Sequence, residues 1–323
     1  MKIAVLIPCY NVEKYLAECL DSVLAAGEYL SHFSDTSLIP HPSSLSIFCR
    51  DDGSKDGTLA ILRDYSERHP EIHYATQPNA GVSATRNRLL DELPPEFDAF
   101  AFVDADDTVE PNIYADLSAA LESTSSDVAE CEWSGEQKVI DDMSVFLLKK
   151  TAPGLWIPLF NKLYRRGAVG HIRLRENLAH EEDFYYCFEV NQACRRKVLA
   201  PVHGYNYRNN PDGVCNRLNF RKYVTSACER VRLSAEEWLA AGKIPKALER
   251  DFARELMSDA FRMCIRKNLK KNPDPVLRRE LFFFASAFFS SLIPHPSSLI
   301  PRLFIFLCRH RQYFLSRLLI CLT

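Results

Sequence analysis

Ile3-Ala4-Val5-Leu6-Ile7-Pro8-Cys9-Tyr10-Asn11 opens with five consecutive apolar residues, three of them β-branched, and is halted by a proline and a polar turn. An apolar run without polar alternation is the pattern of a strand covered on both faces by helices, which implies a parallel sheet. Working outward, Val12, Leu16, Cys19, Leu20, Val23 and Leu24 recur at helical spacing, and Gly27 is placed to stop that helix. A second strand is expected over Leu45 to Cys49, then the polar turn Asp51 to Gly57 and a helix from Thr58 to Arg68. A third strand follows at Ile72 to Thr76, a helix at Val82 to Leu90, and a fourth strand at Phe97 to Val103 that runs into a group of acids. Strand and helix alternating in this way predict a doubly wound α/β sheet, whose ligand site lies at the carboxyl ends of the strands.

Past Asp107 the pattern loosens into a helix at Asn112 to Glu122, an apolar stretch at Asp127 to Trp133 and mixed segments to Arg208, which predicts a second half packed on the first. Leu218 to Lys271 has helical spacing, and Leu281 to Thr323 is apolar with Arg302, Arg309, Arg311 and Arg317 interrupting it. Pro294, Pro296 and Pro301 break the longest apolar region, which disfavours a spanning helix. Two readings of this C-terminal region stand equally: an interfacial anchor with a peripheral membrane contact, or helices packed on the body of the protein. The nine residues Ser37 to Leu45, SLIPHPSSL, recur unchanged at Ser291 to Leu299. Two distant copies cannot stack as a solenoid, and we read them as a translated nucleotide repeat. Their histidines, His41 and His295, lack a second ligand at metal-binding spacing.

Composition excludes several classes. With 323 residues, 47% hydrophobic and 25% charged, the chain is neither disordered, collagenous nor polytopic in a membrane. Forty basic against forty-two acidic residues give a net charge of −2, so no global basic field exists to hold nucleic acid. Eleven cysteines without a C-x-x-C pair suit a reducing compartment, and the first apolar run is too short for a signal peptide, so a cytoplasmic location is expected.

Four polar clusters follow the expected strands: Pro8 to Asn11, Asp51 to Ser54, Asn79 to Asn87, and Asp104-Ala105-Asp106-Asp107. Several carboxylates at one strand end are costly unless a cation neutralises them, and Mg²⁺ or Mn²⁺ bridging to a substrate's phosphates suits such a site. Acids in the Asp51 to Thr58 turn can cap the next helix or accept hydrogen bonds from a base or ribose. No G-x-G-x-x-G and no phosphate-loop motif occurs, so diphosphate charge must be met by metal and by side chains such as Arg86. Trp133, Trp156 and Tyr185 can stack on a sugar or fill a core.

These residues resemble the family-two, GT-A-fold glycosyltransferases that build bacterial surface polysaccharides. The likeness rests on P-x-Y-N with Glu13, Tyr15 and Leu16, on D-D-G-S-x-D-G-T from Asp51, on N-x-G-x-S-x-x-R-N from Asn79 to Asn87, and on D-x-D-D at Asp104. It continues in N-K-L-Y-R-R from Asn161, E-D at Glu182-Asp183 and Y-x-Y-R at Tyr205 to Arg208, and so covers Met1 to Val214. The resemblance implies a GT-A fold, a Rossmann-like doubly wound mixed sheet with a C-terminal helical extension. Residues 1–110 would be the nucleotide-sugar-binding half, 111–215 the acceptor-binding and catalytic-base half of the same domain, and 216–323 a helical region able to touch membrane. It implies a metal-dependent, inverting, non-processive transferase moving one sugar from a nucleotide-sugar donor to a glycan or lipid-linked glycan acceptor at the inner face of the membrane, with Mg²⁺ or Mn²⁺ as cofactor. Pro8, Tyr10, Asn11, Glu13, Asp52 and Arg86 would line the nucleotide-sugar site, with Asp104 near the ribose. Asp106 and Asp107 would sit at the metal and diphosphate, and Asp183 would be the general base. The absence of Q-x-x-R-W argues against a processive synthase. A second reading is a catalytically impaired nucleotide-sugar-binding or scaffold protein, in which the lengthened segment Glu28 to Ser44 and the strand residue Arg50 disturb the donor site. A third, a nucleotidyltransferase, would want a glycine-rich phosphate loop that Pro8-Cys9-Tyr10-Asn11 does not supply.

Overall fold

The computed structural model describes residues 1–33, 43–131, 136–142, 158–178 and 182–210, with 242, 244, 246 and 247. The chain divides into two compact units, Met1–Arg217 and Leu218–Thr323. Trp133, Trp156, both histidines of the repeat and nearly all of the C-terminal region lie outside the described residues. Among the described residues no helix is long and apolar enough to cross a membrane.

In the first unit β1 (Lys2–Cys9), α1 (Leu16–Phe33), β2 (Ser44–Asp51), α2 (Thr58–Arg68), β3 (Ile72–Thr76), α3 (Val82–Asp91) and β4 (Ala99–Phe102) alternate. Then come β5 (Thr108–Val109), α4 (Ile113–Ser123), β6 (Val128–Cys131), β7 (Lys138–Ile140), β8 (Lys162–Arg165), α5 (Arg166–Val169), α6 (Glu182–Ala193), β9 (Lys197–Ala200) and β10 (Tyr205–Asn206). Eight strands form one sheet in the order β3-β2-β1-β4-β8-β6-β9-β7, and β10 pairs with β5 in a small ribbon. The strands β3, β2, β1 and β4 are parallel, while β8 runs antiparallel to both β4 and β6, so the sheet is mixed.

The opening run explains why this sheet is sandwiched. Ile3, Val5, Ile7 and Cys9 pack with Leu16, Leu20, Leu62 and Leu117 on one face. Ala4 and Leu6 pack with Leu89, Leu90, Val169, Tyr186 and Val190 on the other. Strand side chains alternate between faces, so an all-apolar strand needs two cores, and helices supply both.

Gly27 does not stop α1, which runs six residues further to Phe33. Glycine lowers helix propensity by about 1 kcal/mol, but Ala26 and Leu30 are fully buried and packing outweighs it. The first six residues of the lengthened segment, Glu28 to Phe33, are therefore helix, and 34–42 lie outside the described residues. Beyond it β2 keeps unbroken register with β1 from Lys2↔Ser44 to Cys9↔Asp51. Arg50, buried in β2, reaches the carboxylate of the half-exposed Glu92. Burial lowers its pKa, with Arg88 adding to the effect. A second buried group of charges lies where β6, β8 and β9 adjoin: Glu130 sits between Lys162, 3.4 Å away, and Lys197, all three about 3% exposed or less.

Candidate active site

The polar ends of β1 and β2 interlock. The Asn11 amide donates to Ser54 Oγ at 2.9 Å, and Asn11 Oδ1 accepts from the Lys55 amide at 2.8 Å. The Val12 amide donates to Thr58 Oγ1 at 2.9 Å, the Glu13 amide to Asp56 Oδ2 at 3.2 Å, and Glu13 Oε2 accepts from the Gly57 amide at 2.6 Å. Asn11 has φ 52°, a left-handed conformation that asparagine tolerates better than most residues. Pro8, Asn11 and Glu13 thus shape the loop, and Tyr10 stands 48% exposed at its tip.

The paired acids of the next turn face inward. Asp51 accepts from the Ser54 amide at 3.1 Å and from the Thr76 hydroxyl at 2.8 Å. Asp52 Oδ1 accepts from Gln77 Nε2 and the Ala80 amide, both at 2.8 Å, and Oδ2 accepts from the Gly81 amide at 2.9 Å. Asp52 is 2% exposed and holds the loop before α3 against the end of β2. Gly53 makes this approach feasible: φ is +74°, and a Cβ there would sit 3.0 Å from the Asn79 nitrogen.

Arg86, on the buried face of α3, links the segment after β4 to the start of α6. Its guanidinium donates to Asp104 Oδ1 at 2.7 Å and to Glu182 Oε1 at 3.0 Å. Burial alone would lower its pKa, but Asp104 and Glu182 outweigh burial and hold it above the usual arginine value. The bridge brings the first turn of α6 to the end of β4, and with it Asp183, the neighbour of Glu182. Asp183 Oδ1 accepts from the Phe184 amide at 2.8 Å, as a carboxylate in a helix's first turn can. Tyr185, one residue on, is 1% exposed and belongs to the core.

The D-x-D-D acids divide. Asp104 keeps a side chain 26% exposed, and Asp106 is half-buried, its Oδ2 accepting from Asn210 Nδ2 at 2.8 Å. Asp107 is 1% exposed: Oδ2 accepts from the Tyr205 hydroxyl and Oδ1 from the Arg208 amide, each at 2.7 Å. Burial pushes its carboxyl up to about 7, with Asp104 and Asp106 adding to the push and those two hydrogen bonds opposing it.

Residues 204–210 therefore strap the acid cluster. The Tyr205 hydroxyl also accepts from the Asp104 amide at 3.1 Å. Arg208 donates from Nε to the Asp106 carbonyl at 2.8 Å and pairs with Glu18 at 2.6 Å, while its guanidinium lies 5.3 Å over Tyr15. The Tyr15 hydroxyl donates to Asn210 Oδ1 at 3.3 Å. Gly204 lets the strap approach α4, because a Cβ there would fall 2.7 Å from Ile113 Cγ1. Tyr205, Arg208 and Glu182 were visible in the sequence as motif letters without these partners, and Asn210 and Glu18 carried no signal.

Among the described residues no three His, Cys, Asp or Glu side chains converge on one metal position. Mg²⁺ and Mn²⁺ sites that share a substrate's phosphates need only one or two carboxylates. Asp106, with one oxygen uncommitted to Asn210, fits that requirement, whereas both oxygens of Asp107 accept hydrogen bonds from the strap.

The family model for glycosyl transferase family 2 matches residues 4–171. The chain is 25% identical to the uncharacterized glycosyltransferase YibD of Escherichia coli over 92% of this chain and 88% of that protein. Its fold superposes with a TM-score of 0.72 on Staphylococcus aureus TarS 1–349 in complex with UDP-GlcNAc, at 17% identity over 99% of this chain and 90% of that one. Mannosyltransferase PcManGT of Pyrobaculum calidifontis, in complex with GDP-Man and Mn²⁺, matches with a TM-score of 0.53 at 14% identity over 99% and 84% of the two chains.

Proposed function

The chain belongs to glycosyl transferase family 2, and from that premise we propose an inverting, metal-dependent, non-processive enzyme that moves one sugar from a nucleotide-sugar to a glycan hydroxyl, the glycan being carried on lipid at the cytoplasmic membrane face. The observation that supports this reading most is the Arg86 bridge, because it ties Glu182, the sequence neighbour of the base candidate Asp183, to Asp104 of the acid cluster. Structural neighbours holding UDP-GlcNAc and GDP-Man with Mn²⁺ support a nucleotide-sugar donor and a divalent cation.

In this reading Tyr10 and the interlocked loops of Asn11 and Glu13 frame the nucleotide, shaped from behind by Pro8 and Asp52. Asp104 orients the ribose. Asp106 would hold the cation, which supplies Lewis-acid stabilisation of charge on the leaving diphosphate. Asp107 positions Asp106 and the strap. Asp183 takes the proton from the acceptor hydroxyl as its oxygen bonds to the anomeric carbon, and the nucleoside diphosphate departs from the opposite face, which inverts configuration. A carboxylate with a reference pKa near 3.9 is a weak base, but the hydroxyl acidifies as its new C–O bond forms, so transfer late in that step suffices.

The test is calorimetric binding of UDP, GDP, CDP and ADP with and without Mn²⁺, paired with Asp183→Asn. We expect one nucleotide to bind in a metal-dependent way, and the variant to lose transfer while keeping that binding. No binding by folded protein would favour the impaired reading, and joint loss of binding and transfer in the variant would make Asp183 structural.

A further inference from the structure

Between α5 and α6, residues 170–178 form neither helix nor strand, so their buried backbone groups need partners from elsewhere. Helix α3 supplies them, and the chain on the way to Asp183 meets that helix in order. Arg173 Nε donates to Asp91 Oδ1 at 2.8 Å, at the end of α3. One turn earlier in the helix, Asn87 Oδ1 accepts from the Leu174 amide at 2.7 Å, and Asn87 Nδ2 donates to the Leu174 carbonyl at 2.8 Å. The same Nδ2 donates to Glu176 Oε1 at 2.9 Å. Arg86 then reaches Glu182 at 3.0 Å, one residue before Asp183. From Asp91 back to Arg86 is about 7.5 Å of helix. The chain is thus fastened to α3 at three levels, rising toward the end where Asp52 holds the loop before that helix.

The middle fastening is the most specific. A carboxamide offers a donor and an acceptor in one plane, so Asn87 pairs with Leu174 much as a neighbouring strand would. Aspartate and leucine have nearly the same shape, and neither supplies both groups. Asn87 is 7% exposed and Leu174 3%, so water does not readily replace these bonds. The Arg173–Asp91 pair is more open, its side chains 34% and 58% exposed, and solvent screens it. Leu174 belongs to the same core as Leu90, Val169 and Tyr186, which fixes the depth of the segment while Asn87 fixes its height along α3. Arg175 reaches the other way, its guanidinium 4.7 Å over the ring of Tyr185 in α6. Residues 174–176 are therefore clasped between the helix that carries Arg86 and the helix that carries Asp183.

We infer that Asn87 is a positioning residue: it sets the height of the chain along α3 and, through it, the place of Asp183 relative to the acid cluster. A misplacement of about 1 Å at a reacting group can cost about 100-fold in rate. The inference rests on the transferase reading above and adds the residue that holds its base. The test compares the full wild-type chain with Asn87→Ala, with Asn87→Asp, and with Asn87→Asp combined with Glu176→Gln. The readouts are hydrogen exchange of peptides spanning 172–178 and 182–188, calorimetric affinity for UDP and GDP with Mn²⁺, and kcat and KM for nucleoside diphosphate release. Donors are UDP-glucose, UDP-N-acetylglucosamine, UDP-galactose and GDP-mannose, with water or methyl glycosides as acceptors. Asn87→Ala should speed exchange in both peptides and lower kcat about tenfold or more, leaving donor KM and nucleotide affinity within about twofold. Asn87→Asp sets a carboxylate against the Leu174 carbonyl and Glu176 and should act alike. Adding Glu176→Gln gives that carboxylate a donor and should recover kcat about threefold or more, a result that stands even where Asn87→Ala does not fold. Unchanged kcat in Asn87→Ala, nucleotide affinity lost in step with kcat, or no recovery in the double variant would overturn the inference. Where the wild-type chain turns over a donor, such a result sinks this inference alone; where it turns over none, the transferase reading falls and takes the inference along.

Discussion

Tyr205→Phe deletes one oxygen and leaves the ring on Phe160, which makes it a clean probe of the strap. That oxygen donates to Asp107 at 2.7 Å and accepts from the Asp104 amide at 3.1 Å. Tyr205 is 5% exposed and Asp107 1%, so water does not readily take its place. A hydrogen bond to a charged group contributes about 1.5–3 kcal/mol and an orphaned buried amide costs about 1–3 kcal/mol, so the variant should lose about 2.5–6 kcal/mol while Asp107 is ionised. Burial raises the Asp107 carboxyl to about 7. This lies above the unfolded value of about 3.9, so the folded state holds the proton to higher pH; that contribution is full below about pH 4 and lost as pH rises through about 7. A neutral carboxyl accepts a bond of about 1 kcal/mol, so the cost of the variant should shrink by about 0.5–2 kcal/mol between about pH 8 and pH 5.5. Urea unfolding followed by far-ultraviolet circular dichroism, with hydrogen exchange of β1 and β4 amides to isolate the first unit, measures this difference. A loss below about 1 kcal/mol at both pH values, or a larger loss at the lower one, would refute the reasoning.

Three further outcomes are expected. Glu130→Gln should cost about 3–5 kcal/mol in denaturant unfolding because it strands two buried ammoniums. Although burial would raise its pKa, Lys162 and Lys197 hold the Glu130 carboxyl below its ordinary value, so its stabilisation is present above about pH 4.3 and lost as pH falls through the lowered value. Arg86→Lys keeps the charge but cannot span Asp104 and Glu182 together, and steady-state kinetics should show kcat/KM down about 100-fold with the fold retained. Gly204→Ala should destabilise by about 1–3 kcal/mol, since its Cβ meets Ile113 side-chain carbons; unchanged thermal unfolding would mean the strap moves aside freely.

The layered sheet was legible because Ile3 to Ile7 has no polar alternation, and the strand-end acids were legible because they stand in sequence next to the strands that deliver them. Gly27 misled because local propensity cannot register Leu30 being fully buried. The strap was harder to read: Tyr205 and Asp107 are 98 residues apart, and nothing local to either shows that one donates a hydrogen bond to the other. Asp106 and Asp107, adjacent and identical in type, invite one assignment; only burial separates the half-buried acid beside Asp104 from the one that holds a loop. Asp52 looked like a free acceptor because the three donors that surround it come from the segment after β3.

The register of β2 has an evolutionary and practical corollary. Residues 34–42 are joined between Phe33 and Ser43, and Ser44 pairs with Lys2, whereas the polar loops of the candidate site leave the sheet from Cys9 and Asp51. At about 3.3 Å per residue, the eight-residue strand puts about 23 Å between these two rims. In the proposed function one rim carries the chemistry and the other is an editing margin, where doubling the length of a connection costs only about 0.6 kcal/mol in closure entropy. The repeated nonapeptide Ser37 to Leu45 ends two residues into β2, at the rim away from Cys9 and Asp51, and so leaves the polar loops at the other rim clear. The same margin is the natural place to graft an affinity tag or fluorophore.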